Sequence, residues 1–233
     1  MQGAAVIMDQ AFSAQRRAMV DGQIRTFAVT DAAVIAAFSA VPRERFLPEG
    51  LRGLAYSDAI LTLPGGAAGR ALLQPMVLAR LMQGAAIEPT ARALVVGGGN
   101  GYAGCVLARI AASVVTLDTD PAWAASAEAL ARDLGHATVR AVSGDLAEGV
   151  PDGAPYDVIL VQGAVEIRLD ALLDQLAPGG RLVAIEGHRG DASRRAGKAV
   201  SFRRAGDDIS VRPLFDATVP VLDEFRRPPA FVF

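Results

Sequence analysis

The 233-residue chain is predicted to be an α/β protein built on a doubly wound, mostly parallel sheet. Short apolar runs alternate with helical patterns between Arg92 and about Glu186. The runs at Ala93–Val96 and Tyr156–Val161 are almost wholly apolar, as strands buried on both faces must be. A glycine cluster at Gly97, Gly99 and Gly101 then joins the first run to a helix. Hydrophobic residues make up 52% of the chain, enough for a sizeable core.

Taken in order, the segment up to about Glu49 reads as helical. Phe12, Met19, Val20 and Ile24 mark one amphipathic helix, with Arg16 and Arg17 on its wet face. Thr30-Asp31 supply an N-cap for a second, along which Val34, Ile35, Phe38 and Val41 recur at helical spacing. Leu54 to Arg70 is loop-like, and Pro64-Gly65-Gly66-Ala67-Ala68-Gly69 has little side chain to pack; it reads as a connector or a lid. Pro75 opens a helix running to about Met82.

From Ala91 to Asp118 the pattern is strand, tight loop, helix, strand. Glycine permits positive φ and a close approach of ligand to backbone. The amides that open the next helix carry partial positive charge. Asp118 ends the second strand about twenty residues after the first glycine, where a carboxylate can accept both hydrogen bonds of a ribose diol. The unit suits an adenosine-bearing cofactor. Two registers compete: Gly97-x-Gly99-x-Gly101 fits S-adenosylmethionine, and Gly99-x-Gly101-x-x-Gly104 fits a dinucleotide such as NAD. A turn that begins directly after Val96 favours the first, because the dinucleotide pattern would then require glycine at Tyr102. A glycine-rich turn without a ligand is the remaining alternative.

Asp120 and Pro121 open the next helix and Gly135 closes it. Val139–Val142 is a third strand, followed by Ser143-Gly144-Asp145-Leu146. Tyr156–Val161 is the fourth strand, Leu169–Leu176 a helix, Pro178-Gly179-Gly180 a turn, and Arg181–Ile185 the fifth strand. Ala199–Arg204 and Ile209–Leu214, joined by Ala205–Asp208, read as an antiparallel hairpin. Five alternating strands with a terminal hairpin predict the seven-stranded, Rossmann-like sheet of S-adenosylmethionine-dependent methyltransferases. The chain is expected to be one domain, residues 1–90 forming an N-terminal helical cap and 91–233 the core.

Composition excludes several classes. A net charge of −2 argues against a general nucleic-acid binder. Arg189, Arg194, Arg195, Lys198, Arg203 and Arg204 are interspersed with small and polar residues, as in a wet loop and hairpin edge. The single cysteine, Cys105, fits a reducing compartment and a buried inert thiol. His136 and His188 have no companions at metal-ligand spacing, so no metal is expected. Pro75–Ile87 is too short to span a bilayer, no membrane partner is expected, and with no signal-peptide pattern the expected location is cytoplasmic.

The chain resembles the protein-L-isoaspartate O-methyltransferases over nearly its whole length. Val41-Pro42-Arg43-Glu44-Arg45-Phe46-Leu47-Pro48 is similar to the family's V-P-R-x-x-F-V-P, and Ala55-Tyr56-Ser57-Asp58 followed by Leu63-Pro64 to its A-Y-x-D…L-P. Gln74-Pro75 matches the end of T-I-S-Q-P, and Gly97 to Tyr102 the G-x-G-S-G-Y loop. Ala154-Pro155-Tyr156-Asp157-Val158-Ile159 resembles A-P-F-D-A-I, and Gln175 to Leu182 the Q-L-x-x-G-G-R-L turn and strand. The resemblance implies methyl transfer from S-adenosylmethionine to isoaspartyl residues of damaged proteins or peptides. It places the cofactor on Gly97, Gly98, Gly99, Asn100, Gly101 and Tyr102, its ribose at Asp118 and Thr119, and its adenine near Asp145 and Leu146. It places the acceptor near Leu73 and Gln74. Gln162 and Gly163 stand at the sheet rim, where α/β proteins usually put substrates. No residue is singled out as a catalytic acid, base or nucleophile. Glu166, just beyond, reads as a solvated loop acid, and Asp157 as a structural acid at a strand edge.

Two departures fall at functional positions. The T-I-S-Q-P serine is Leu73 here and the threonine Ala71; an acid expected in the strand before the glycines is Val95. Three functions stay open: an active isoaspartyl methyltransferase, a methyltransferase with a more apolar acceptor, or a non-catalytic relative serving as a binding module. An NAD-binding protein is the least favoured reading.

Overall fold

The structure, a computed structural model, describes residues 2–65, 67, 69–187 and 197–228. His188, Arg189, Arg194 and Arg195, with Gly66 and Ala68 of the glycine-rich run, lie outside the described residues.

The N-terminal third is helical. α1 (Gln2–Met19) continues through a π-turn over Val20–Ile24 and a 3₁₀ turn over Arg25–Phe27. α2 (Ala32–Ala40) starts at the expected cap: Asp31 accepts from the amides of Ala33 and Val34 at 2.9 and 3.1 Å. The loop-like stretch that follows is more structured than its sequence suggests. A 3₁₀ turn at Glu49–Leu54 leads into Leu54–Arg70, which contains β1 (Leu61–Thr62), paired antiparallel with β2 (Ala71–Leu72) just beyond it. α3 (Pro75–Ala85) begins at Pro75 and runs three residues past Met82.

The sheet elements follow: β3 (Arg92–Val96), α4 (Tyr102–Leu107), β4 (Ser113–Asp118), α5 (Pro121–Asp133), β5 (Val139–Ser143), β6 (Tyr156–Val165), α6 (Asp170–Asp174), β7 (Leu176–Glu186), β8 (Gly197–Ala205) and β9 (Asp208–Ala217). The strand order is β5-β4-β3-β6-β7-β8-β9, with the first five parallel and the last two antiparallel. The terminal hairpin turns at Gly206, φ 65°. α6 is shorter than expected because Leu176 already pairs with Tyr156, and β7 carries Pro178-Gly179-Gly180 across a register shift. Alternate residues of β3 serve two cores: Ala93 and Val95 pack towards α1–α4, Leu94 and Val96 towards α6. The chain leaves β3 towards β4 and β5, then returns to its other side as β6. That reversal opens the crevice at the carboxyl ends of β3 and β6, the usual ligand position in such sheets.

Candidate active site

The bend after Val96 is built from three glycines at positive φ: Gly97 (72°), Gly99 (54°) and Gly101 (88°). The amides of its four glycines and of Tyr102 are spent within the chain. Gly97 and Gly98 both donate to the Leu117 carbonyl at 3.0 Å, Gly101 to the Gly98 carbonyl at 3.0 Å, and Tyr102 to Asn100 Oδ1 at 3.4 Å. Gly99 donates to Asp118 Oδ2 at 2.8 Å, so the loop and the acid at the tip of β4 are locked together. Gly104 has a different reason: a Cβ there would fall within 3.0 Å of Thr116 Cγ2, so this glycine sets the approach of α4 to β4.

Asp118 is buried at 3% exposure. Thr119 N–H donates to its Oδ1 at 2.8 Å, and Arg70 Nε reaches both oxygens at 3.0 and 2.8 Å. The same guanidinium donates to Glu224 at 2.8 and 3.2 Å and to Thr119 Oγ1 at 3.4 Å. Burial alone would lower the Arg70 pKa. Its hydrogen bonds to Glu224 and Asp118 outweigh that, and the pKa stands above the usual arginine value. Leu222 covers the bend, its Cδ1 3.1 Å from where a Cβ on Gly97 would stand, and its Cγ 2.6 Å from one on Gly163. Leu222 is held there by main-chain bonds: its N–H donates to the Ala164 carbonyl, and Ala164 N–H to that of Pro220, at 3.0 and 2.9 Å.

The remaining expected residues divide. Leu146 is buried beneath Gly97, whereas Asp145 is exposed and accepts from the Ala147 amide at 2.8 Å, capping its turn. Tyr102 is fully buried against Phe38 and Phe46 rather than facing the crevice. Asn100 donates to the Phe46 carbonyl, which ties the glycine loop to the Val41–Pro48 segment. Leu73 turns its side chain into the core at 1% exposure, and half-buried Gln74 donates to the Asp58 carbonyl at 3.4 Å. Gln162 is buried; its amide nitrogen donates to the Ala71 carbonyl at 3.1 Å and its Oε1 has no partner. Val95 is fully buried. Asp157 accepts from the Arg92 amide at 2.8 Å, and Glu166 from that of Arg227 at 2.9 Å.

Reading the sequence missed four residues here. Arg43 is wholly buried, donates to the carbonyls of Ala55 and Leu73 at 2.8 and 2.7 Å, and lies 4.9 Å from the centre of the Tyr102 ring. It thereby fixes the main chain at Leu73, directly after β2. Arg70, Leu222 and Glu224 close the crevice. A lone arginine directly after a run of six small residues was a usable signal for Arg70; nothing local marks Leu222 or Glu224.

A nucleoside can be tested against this arrangement. Backbone and acid fit one: bare main chain bends beneath the crevice, and Asp118 stands where a ribose diol would be held. The side chains fit only after Arg70, whose guanidinium now bonds the carboxylate a diol would use, leaves together with Leu222 and Leu63, which cover Gly97 and Gly99.

The sheet order, the glycine bend and the acid closing β4 define the class of S-adenosylmethionine-dependent methyltransferases. Residues 14–208 match the family described as protein-L-isoaspartate(D-aspartate) O-methyltransferase (PCMT), and the chain belongs to that family. A protein-L-isoaspartate O-methyltransferase of Roseiflexus castenholzii is 39% identical over 212 residues, covering 91% of this chain and 93% of the relative. One from Methylorubrum extorquens is 42% identical over 168 residues, 72% of each chain. A solved protein-L-isoaspartate O-methyltransferase superposes with a TM-score of 0.76 at 26% identity, covering 88% of this chain. The chain spans 64% of that structure's length, just under two thirds. A Plasmodium falciparum structure in complex with S-adenosyl-L-homocysteine shares the fold, with a TM-score of 0.73 at 17% identity, covering 90% of this chain and 98% of its own.

Proposed function

We propose that this protein transfers a methyl group from S-adenosylmethionine to the α-carboxylate of L-isoaspartyl residues in damaged proteins, the first step of their repair. The identity to the Roseiflexus relative across nine tenths of the chain carries this reading. It is supported by the glycine bend locked to Asp118 at 2.8 Å.

The cofactor, when bound, supplies a methyl group on a positively charged sulfur. Gly97–Gly101 would lie against it once Leu222 and Leu63, which now cover Gly97 and Gly99, have moved aside, and Asp118 would accept from its ribose. The acceptor carboxylate, with an ordinary pKa of about 4, is already ionised at neutral pH and requires no general base. Attack by an anion on a cation partly cancels both charges, so the protein's work is alignment and exclusion of water, worth about 7–11 kcal/mol in favourable cases. The titratable side chains are disposed accordingly. Burial pushes the Cys105 thiol up to about 12, so it is no nucleophile at neutral pH. Burial and the nearby Arg109 lower the pKa of His136. Among the described residues no group of three His, Cys, Asp or Glu side chains could hold a metal, and no helix is long and apolar enough to cross a membrane. The reading sets the reaction in the cytoplasm, in keeping with the free, buried Cys105.

Leu73 points into the core, so it places no apolar wall against the acceptor. The test is transfer of a radiolabelled methyl group to an isoaspartyl peptide beside its ordinary aspartyl twin. Label on the first alone is expected; label on neither or on both overturns the proposal.

A further inference from the structure

We propose that Arg70 is a built-in competitor for the cofactor's ribose: its guanidinium holds Asp118 in the closed protein, and a nucleoside enters only by displacing it. The inference rests on the methyltransferase reading of the site and adds a regulation of that site.

The geometry is one of mimicry. A ribose diol offers two donors to one carboxylate, and Arg70 Nε already reaches both oxygens of Asp118, at 3.0 and 2.8 Å. The arginine is 1% exposed and Asp118 3%, so no solvent-filled space separates them. Arg70 also stands where movement is local. It closes the short β1–β2 hairpin, its carbonyl accepting from the Leu63 amide at 3.0 Å, and two-residue strands are held by little else. Leu63 presses on the glycine bend from the same hairpin, its Cδ1 3.2 Å from the place of a Cβ on Gly99. Gly69, at φ 86°, lies against the Val221 carbonyl so closely that any Cβ would fall within 3.0 Å of it. Hairpin and C-terminal segment thus dock on each other above the crevice.

Glu224 gives the displaced arginine a second berth. It holds the outer nitrogens of the guanidinium at 2.8 and 3.2 Å, and its side chain is 20% exposed against 4% for Asp118. Arg70 can therefore surrender Asp118 to a ligand and keep an anionic partner nearer the solvent. The closed state stores one cation between two carboxylates; the open state gives the inner carboxylate to the nucleoside and leaves the outer one with the arginine.

The test is isothermal titration of the whole chain with S-adenosylhomocysteine, comparing wild type, Arg70→Lys and Arg70→Gln. Arg70→Gln is expected to bind at least ten-fold more tightly than wild type, and Arg70→Lys, which keeps the charge without the fork, to fall between them. Should two unpaired carboxylates prevent Arg70→Gln from folding, the double variant Arg70→Gln/Glu224→Gln carries the same expectation. Amide exchange without nucleoside reads the docking directly: the amides of Leu63 and Leu222 are expected to exchange at least ten-fold faster once Arg70 is replaced. Equal or weaker nucleoside binding by the variants, or unchanged exchange, overturns the competitor and leaves the proposed function standing. Absence of binding by every variant, wild type included, overturns both.

Discussion

Gly104→Ala tests how closely α4 is pressed on the sheet. The added methyl would fall within 3.0 Å of Thr116 Cγ2, where carbon atoms normally stay about 3.5–4.0 Å apart. Neither side can yield easily, since Thr116 is 3% exposed on a strand paired on both edges and the residues of α4 are all buried. Overpacking of this kind costs about 1–3 kcal/mol, and so deep an overlap belongs near the top of that range. Alanine returns about 1 kcal/mol of helix propensity, leaving a net loss of about 2 kcal/mol. For a chain of this size that lowers Tm by about 4–8 °C. Urea unfolding followed by far-ultraviolet circular dichroism measures it. Thr116→Ser removes the opposing methyl, so the double variant should recover most of the loss that Gly104→Ala causes alone. A Gly104→Ala protein as stable as wild type, or a double variant showing no recovery, would refute the packing argument.

Other expectations concern single side chains. Arg43→Lys leaves one of the Ala55 and Leu73 carbonyls without its partner and should cost about 1–3 kcal/mol in urea unfolding; a neutral result would mean that Arg43 does not anchor these segments. Leu73→Ser should cost about 2–5 kcal/mol, because a fully packed side chain is removed, while labelled-methyl transfer per folded molecule should stay unchanged. A rise in transfer would show an acceptor contact at that position and overturn the core placement. Cys105 should resist a thiol reagent in native buffer at pH 8 and react at once in urea. Its folded pKa is raised, so the folded protein keeps a proton that the unfolded chain releases from about pH 8.5. The thiol's contribution to stability is therefore complete below that pH and declines as pH rises to about 12. A titration of unfolding free energy across that window checks the direction.

Local features of the chain were the legible ones. Asp31 and Asp120 cap helices as their spacing predicts, and Gly135, at φ 79°, follows the end of α5. β3, β4 and β5 fall within a residue or so of their apolar runs; β3 and β4 are paired on both edges, whereas β5 is an edge strand in which only Val139 is buried. β6 is another matter. It extends to Val165, four residues beyond Val161, where residues 220–222 pair with Ala164 from the far end of the chain. The candidate site divides in the same way. Its glycine bend and Asp118 lie within about twenty residues of each other and could be read from spacing. Arg70 reaches Asp118 across 48 residues and Glu224 across 154, and no local pattern records such a meeting. Leu222 was hidden for the same reason: its place against Gly97 depends on the main-chain bonds that draw the C-terminal segment to β6.

A crystal structure grown with saturating S-adenosylhomocysteine addresses the central claim most directly. The ribose hydroxyls should lie on Asp118, with main chain from Gly97 to Gly101 beneath the ligand and the Arg70 guanidinium withdrawn to Glu224. A nucleoside bound elsewhere while Arg70 still holds Asp118 would contradict the account.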